Sequence, residues 1–265
     1  MKLTVVGCTG SMSGPSAPAS CYLVQARGID EVSGKDRTFS VVLDLGPGAF
    51  GQLWRYMDVR KIDALLLSHT HADHMGDIIS MHVHRKWHPD GPLGPVMLAA
   101  PDGVLDRVRG IDGARPEEQY EGEFAPFTLE NEGSFQVGPL RITPYSARHT
   151  VPAFGFRIEG PAEEEPGNSV SLAYTGDTDT CATITQMARG VDLLLSEAGF
   201  TDADEPRGIH LTGERAGQLA REAQVKTMVL THIQPWTEGT VVLAEACRAW
   251  DGPLSVAYAG ATYEL

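Results

Sequence analysis

The sequence predicts an α/β fold built from two similar halves, and three observations carry the prediction. The stretch Ile62 to Asp77, IDALLLSHTHADHMGD, runs from a short bounded apolar segment, Ala64 to Leu67, straight into three histidines and an aspartate. Such a segment reads as a buried strand, so His69, Thr70, His71, Ala72, Asp73 and His74 form the turn between it and an element opened by Gly76. A second unit, VDLLLSEAGF from Val191, echoes IDALLLSHTH and presents Glu197 where the first presents His69. LTHIQPW, after an apolar strand at Thr227 to Leu230, is a third variation. Duplicated halves meeting at a shared edge would bring these turns together, where α/β proteins form their sites.

In chain order, Leu3 to Cys8 is a strand that enters GCTGSMSGPSAPAS, a Gly, Ser and Pro loop without helical period. Because a second strand follows at Cys21 to Ala26, this loop, with Ser11 and Ser13, is expected to be ordered over a site. Arg27 to Arg37 reads as a hairpin tip, and Phe39 to Leu45 as a strand ending in Asp44. That acid is either a carboxylate partner for a ligating histidine or a turn cap. A short helix is expected within Gly48 to Met57, and a longer one over Ile78 to Trp87. The latter carries His82 and His84, two apart and so unable to share a helix face; with His88 they are expected at surface or pocket positions. Val96 to Ala100 is a strand, Asp102 to Arg109 starts a helix, and Arg115 to Glu123 is an acidic surface connection.

The second half opens with two strands about Gly138-Pro139, leading to Ala147-Arg148-His149-Thr150. A strand at Ala153 to Ile158, the acidic turn GPAEEEPGNS and a strand at Val170 to Tyr174 deliver Thr175-Gly176-Asp177-Thr178. Helices at Thr212 to Ala223 and Glu238 to Trp250, and a strand near Leu254 to Ala257, complete it.

The length of 265 residues suits one large domain or two small ones. Candidate ligands spread from His69 to His232 must converge, so a single domain over residues 1–265 is expected. The formal charge of −14, from 35 acids against 21 Lys and Arg, disfavours a long nucleic acid as partner. A metal pair can reverse that sign locally, which leaves small anionic substrates open. Cys8, Cys21, Cys181 and Cys247 form no CxxC, so a reducing, cytoplasmic compartment is expected. Cys181, near Asp177, reads as a buried thiol in preference to a ligand. MKLTVVGCTG is too short and interrupted for a signal peptide, and no apolar stretch approaches the ~20 residues of a membrane span. Monomer and homodimer both stay open.

Imidazole and carboxylate at the density of His69, His71, Asp73 and His74 suit a divalent first-row metal such as zinc. The i, i+2, i+4, i+5 spacing in a turn can splay these ligands towards two metals. The HxHxDH motif after a strand resembles that of the metallo-β-lactamase-fold hydrolases, with His149 in SARHT, Asp177 in YTGDTD and His232 in LTHIQPW following in the family's order. The resemblance implies a four-layer αββα sandwich with a di-zinc centre at one edge, manganese being an alternative metal. Residue for residue it places His69, His71 and His149 on one zinc and Asp73, His74 and His232 on the other. Asp177 would bridge them and Asp73 would also orient the nucleophile, while Asp179 is expected to be replaceable.

A poor alkoxide leaving group needs a proton, and Glu197 with His210 in IHLTGE are the candidates to supply it. The pair SEA…HLT resembles the ribonuclease Z branch, yet the short acidic connection between His149 and Asp177 leaves no room for that family's basic arm. TVVGCTGSMSGPSAPASCYLV, LLSHTHADHMGDI, RKWHP, SLAYTGDTDTC, ARGVDLLLSEA, HLTGERAG and LTHIQPWT are most similar to actinobacterial atypical class II cyclic-AMP phosphodiesterases. That resemblance implies metal-bridging hydroxide attacking phosphorus of a 3′,5′-cyclic nucleotide, with His210 protonating the ribose oxygen. The competing readings are a hydrolase of another ester, such as a 2′,3′-cyclic phosphate, an RNA 3′ end or a thioester, and a metal-containing binding module without turnover.

Overall fold

The computed structural model describes residues 1–165, 167–205 and 208–265, so the acidic turn after Gly160 is described except for residue 166. Six strands, β1 (Lys2–Gly7), β2 (Cys21–Ile29), β3 (Asp36–Leu43), β4 (Ala64–Leu66), β5 (Val96–Ala100) and β6 (Phe124–Thr128), belong to a first sheet. A second sheet holds β7 (Phe135–Val137), β8 (Leu140–Ser146), β9 (Phe154–Pro161), β10 (Ser169–Tyr174), β11 (Leu193–Glu197), β12 (Met228–Thr231) and β13 (Leu254–Val256). The last strand, β14 (Thr262–Glu264), returns to the first sheet and pairs antiparallel with β1. The orders are β14-β1-β2-β3-β4-β5-β6 and β13-β12-β11-β10-β9-β8-β7. Within them β3 to β6 and β10 to β13 are parallel.

Period-two burial builds the layers. In β4, Ala64 and Leu66 join an apolar core shared with Val5, Tyr22, Leu43, Phe156, Leu172, Tyr174 and Leu195, which draws on both sheets. Leu65 between them faces the other way, into a cluster with α1 (Ala49–Leu53), α3 (Ile78–Lys86) and α4 (Val104–Asp112). The second sheet mirrors this, Leu194 and Leu230 packing under α5 (Ala182–Ala188), α6 (Gly213–Ala223) and α7 (Gly239–Ala249). Three apolar layers between four layers of elements form an αββα sandwich.

Several elements depart from expectation. Asp73 and His74 lie in a one-turn helix, α2 (Ala72–Met75), with Gly76 as its C-cap, where the sequence suggested an open turn. A turn dense in histidines has no apolar period to signal a helix. β6, β14 and α5 were not foreseen. β6 lies on an edge with four of its five residues exposed, which hides the alternation that marks a half-buried strand. His82 is buried against Glu123 (3.4 Å) and the Tyr120 ring, not at the surface, while His84 packs on Phe50 and Trp54. Among the described residues no helix is long and apolar enough to cross a membrane.

Candidate active site

Parallel strands β4, β10, β11 and β12 all end at one edge of the sandwich, and each is followed by a turn carrying part of the site. After β4 comes Ser68, then His69, Thr70, His71 and α2. The end of β3 folds tightly under α2: Leu45 donates its N–H to the His74 carbonyl at 2.7 Å, and a Cβ on Gly46 would lie 2.0 Å from the Asp73 carbonyl oxygen. Only glycine permits that approach.

His71 Nδ1 lies 3.0 Å from His69 Nε2 and 3.1 Å from His149 Nε2. His149 donates Nδ1–H to the Ile209 carbonyl (2.9 Å), and His69 Nδ1 meets the Ser68 hydroxyl (3.0 Å), so both Nε2 lone pairs aim at one point. Burial, reinforced by the neighbouring imidazoles, holds His69 and His71 below the usual histidine range. Three imidazole nitrogens converging on a common point suit a divalent cation.

Beside them, Asp177 Oδ1 lies 3.1 Å from His74 Nε2, and Asp177 Oδ2 lies 3.4 Å from His232 Nε2. Asp73 Oδ2 approaches the same two nitrogens at 3.4 and 4.0 Å. Asp177 Oδ2 is also 3.7 Å from His69 Nε2 and 4.0 Å from His149 Nε2, so this carboxylate stands between the two groups. His74 Nε2, His232 Nε2 and Asp177 Oδ1 are buried without a hydrogen-bond partner. Buried polar atoms converging at this density fit a metal centre. Burial opposes charge on both Asp177 and His74, yet their mutual attraction wins, holding Asp177 well below and His74 well above their ordinary ranges. The residues fit divalent ions: His69, His71 and His149 form one group able to hold a metal, and Asp73, His74, Asp177 and His232 another.

The ligand orientations have their own supports. Asp44 accepts from His74 Nδ1 (2.7 Å), the Ser68 N–H (2.7 Å), the Ser68 hydroxyl (2.8 Å) and the Tyr174 hydroxyl (2.7 Å), which is the carboxylate–histidine partnership weighed from sequence. Ser20 Oγ meets His232 Nδ1 at 3.1 Å. The loop of residues 9–20 is ordered against that histidine: Thr9 pairs with Ile233, and a Cβ on Gly10 would fall 2.2 Å from the His232 carbonyl oxygen. Ser11 and Ser13 are exposed, their hydroxyls engaged by Gln234 and the Pro47 carbonyl. Ser20, Tyr174 and the Ile209 carbonyl were not foreseen; only Ser68, adjacent to His69, carried a positional hint.

Asp177, Glu197 and His210 form a third acidic group. It reads as a hydrogen-bonded dyad because Glu197 is already engaged: Oε1 accepts from the Thr178 N–H (2.6 Å) and Oε2 from the Gly199 N–H (3.0 Å). His210 Nδ1 sits 3.1 and 3.2 Å from the two oxygens, and the Phe200 ring packs edge-on at 4.9 Å. Burial alone would lower His210, but the Glu197 charge and hydrogen bond outweigh it and raise its pKa to about 9. Asp179, expected to be replaceable, is buried and paired with Arg215 at 2.6 Å. Cys181 is half-buried beside the Thr178 and Thr183 hydroxyls and joins none of these groups.

The family model for the β-lactamase superfamily domain matches residues 40–233, which span the whole constellation. The chain belongs to the β-lactamase superfamily. It is 36% identical over 273 residues to an uncharacterised protein of Mycobacterium tuberculosis, covering 100% of this chain and 92% of that one. It is also 26% identical over 268 residues to the probable metallo-hydrolase YhfI of Bacillus subtilis, covering 100% of both. The crystal structure of YhfI superposes with a TM-score of 0.83 at 24% identity, over 100% of this chain and 99% of that one, and has the same fold. A ribonuclease Z of Brevibacillus brevis is 26% identical over 245 residues, 73% of this chain and 75% of that protein. Membership and donor set together make this superfamily member a metal-dependent hydrolase.

Proposed function

We propose that the protein is a phosphodiesterase of small cyclic nucleotides, 3′,5′-cyclic AMP foremost, working with two divalent ions, most simply zinc. His69, His71 and His149 would hold one ion and Asp73, His74 and His232 the other, with Asp177 available to both. Bound there, the ions supply an activated water and positive charge for the phosphoryl oxygens. Asp73 orients the attacking water by accepting its hydrogen bond. The observation that carries the reading is His210: Nδ1 is fixed by Glu197, the ring stands beside the Asp177 carboxylate at 3.9 Å, and Nε2 has no partner among the described residues. A held imidazolium of that kind is a proton donor, and a ribose alkoxide is a leaving group that needs one.

A ribonuclease Z-like action on RNA 3′ ends is the second reading, favoured by the Brevibacillus relative. Against it stand the formal charge of −14 and the direct hairpin from β9 to β10, whose turn carries Glu163, Glu164 and Glu165 between His149 and Asp177. Side-by-side turnover of 3′,5′-cyclic AMP, 2′,3′-cyclic AMP and precursor transfer RNA tests the choice. The 3′,5′-cyclic substrate should be preferred; preference for either of the others would replace this reading.

A further inference from the structure

We propose that Glu197 is a positioning residue for the metal site as well as for the proton donor, because its carboxylate fixes the turn that presents Asp177. If orienting His210 were its whole task, an ordinary carboxylate–imidazole contact would suffice. Instead the shortest contact Glu197 makes is to the Thr178 N–H, at 2.6 Å, and Thr178 follows Asp177 directly. The end of β11 grips the turn on its other side too, since Glu197 N–H donates to Thr175 Oγ1 at 3.0 Å and Thr175 N–H to the Leu195 carbonyl at 3.1 Å. Between these clamps Gly176 adopts φ 57°, and a Cβ there would lie 2.8 Å from both Ser68 Cβ and the Phe154 carbonyl oxygen. Asp177 therefore projects from a turn pinned before and after it, and the pin after it is a side chain.

Thr178, Glu197 and Gly199 are buried, so removing the carboxylate takes the acceptor from two buried N–H groups. The turn must then shift to find partners, and Asp177, standing between both ligand groups, shifts with it. Groups that hold a metal ligand in place typically control metal affinity by about 10- to 100-fold. His210 hangs from the same two oxygens, so one buried acid sets the bridging carboxylate and the leaving-group acid together.

The inference rests on Asp177 being a metal ligand, and metal affinity tests it without reference to substrate. Zinc-loaded wild type, Glu197→Ala, Glu197→Gln and His210→Ala would be titrated against a chelator, with circular dichroism to verify folding. Glu197→Ala should weaken zinc binding about 10- to 100-fold. Glu197→Gln offers one oxygen to two N–H groups and should fall between alanine and wild type. His210→Ala should bind zinc as wild type does. If Glu197→Gln and every folded Glu197 variant match wild type in affinity while losing turnover, Glu197 acts through His210 alone and the inference fails. Should His210→Ala weaken zinc as much as Glu197→Ala, the inference fails as well. Wild type that binds no zinc would instead remove the metal reading on which it rests.

Discussion

At the scale of single residues, the proposed mechanism divides labour between groups that every substrate needs and one that matters only when the leaving oxygen is a strong base. His210→Ala should lower turnover of 3′,5′-cyclic AMP by about 10²- to 10⁴-fold. Hydrolysis of bis(4-nitrophenyl) phosphate, whose nitrophenolate leaves unaided, should fall only modestly. Equal losses on both substrates with metal content intact would show that His210 is not the leaving-group acid. The same residue predicts a pH effect. With its pKa raised to about 9 by Glu197, the donor is protonated through neutral pH, so turnover of the cyclic substrate should decline as pH rises towards that value. Positive ions nearby draw this limb to lower pH, and His210→Ala should abolish it. Asp177→Ala should abolish activity on both substrates. Asp179→Ala should instead cost about 1–3 kcal/mol of stability, read from urea unfolding, because it removes the buried acceptor of the Arg215 guanidinium and the Thr180 N–H.

At the scale of elements, the strand ends carry the site and Asp44 ties them together. It takes hydrogen bonds from the end of β4, from α2 and from β10, so one acid at the end of β3 registers both sheets against the metal edge. Asparagine there would turn one acceptor oxygen into a donor facing His74 Nδ1–H, the Ser68 groups or the Tyr174 hydroxyl. Asp44→Asn should therefore weaken metal affinity by about 10- to 100-fold in a chelator titration. Unchanged affinity would mean the network is structural only. Asp44 was legible in the sequence because it ends a strand just before the histidine motif. Ser20 was not, since its contact with His232 spans most of the chain and a serine in a Ser, Gly and Pro loop carries no pattern. Likewise α2 was hidden: its turn is set by closure of Gly46 beneath Asp73, a long-range contact that local propensity does not encode. His82 was expected at a surface or pocket position because periodicity places a helix face without saying what packs on it, and Tyr120 arrives from a distant connection.

At the scale of the whole molecule, the two sheets follow from apolar runs and the echo between IDALLLSHTH and VDLLLSEAGF, which become β4 and β11 of opposite sheets. The sandwich was legible because short bounded apolar runs mark strands buried on both faces and the histidine motif resembles that of a family with this fold; the edge strand β14 was not, as a three-residue strand has too little pattern to read. Two donor groups with Asp177 standing between them are the feature around which the site edge is arranged, and the proposal of two ions is open to direct count. Chelator-stripped protein would be titrated with zinc or manganese while bound metal and hydrolysis of bis(4-nitrophenyl) phosphate are followed together. Activity should return in step with binding and reach its plateau at two ions per chain. Saturation of activity at one ion, or activity that survives complete removal of metal, would contradict it.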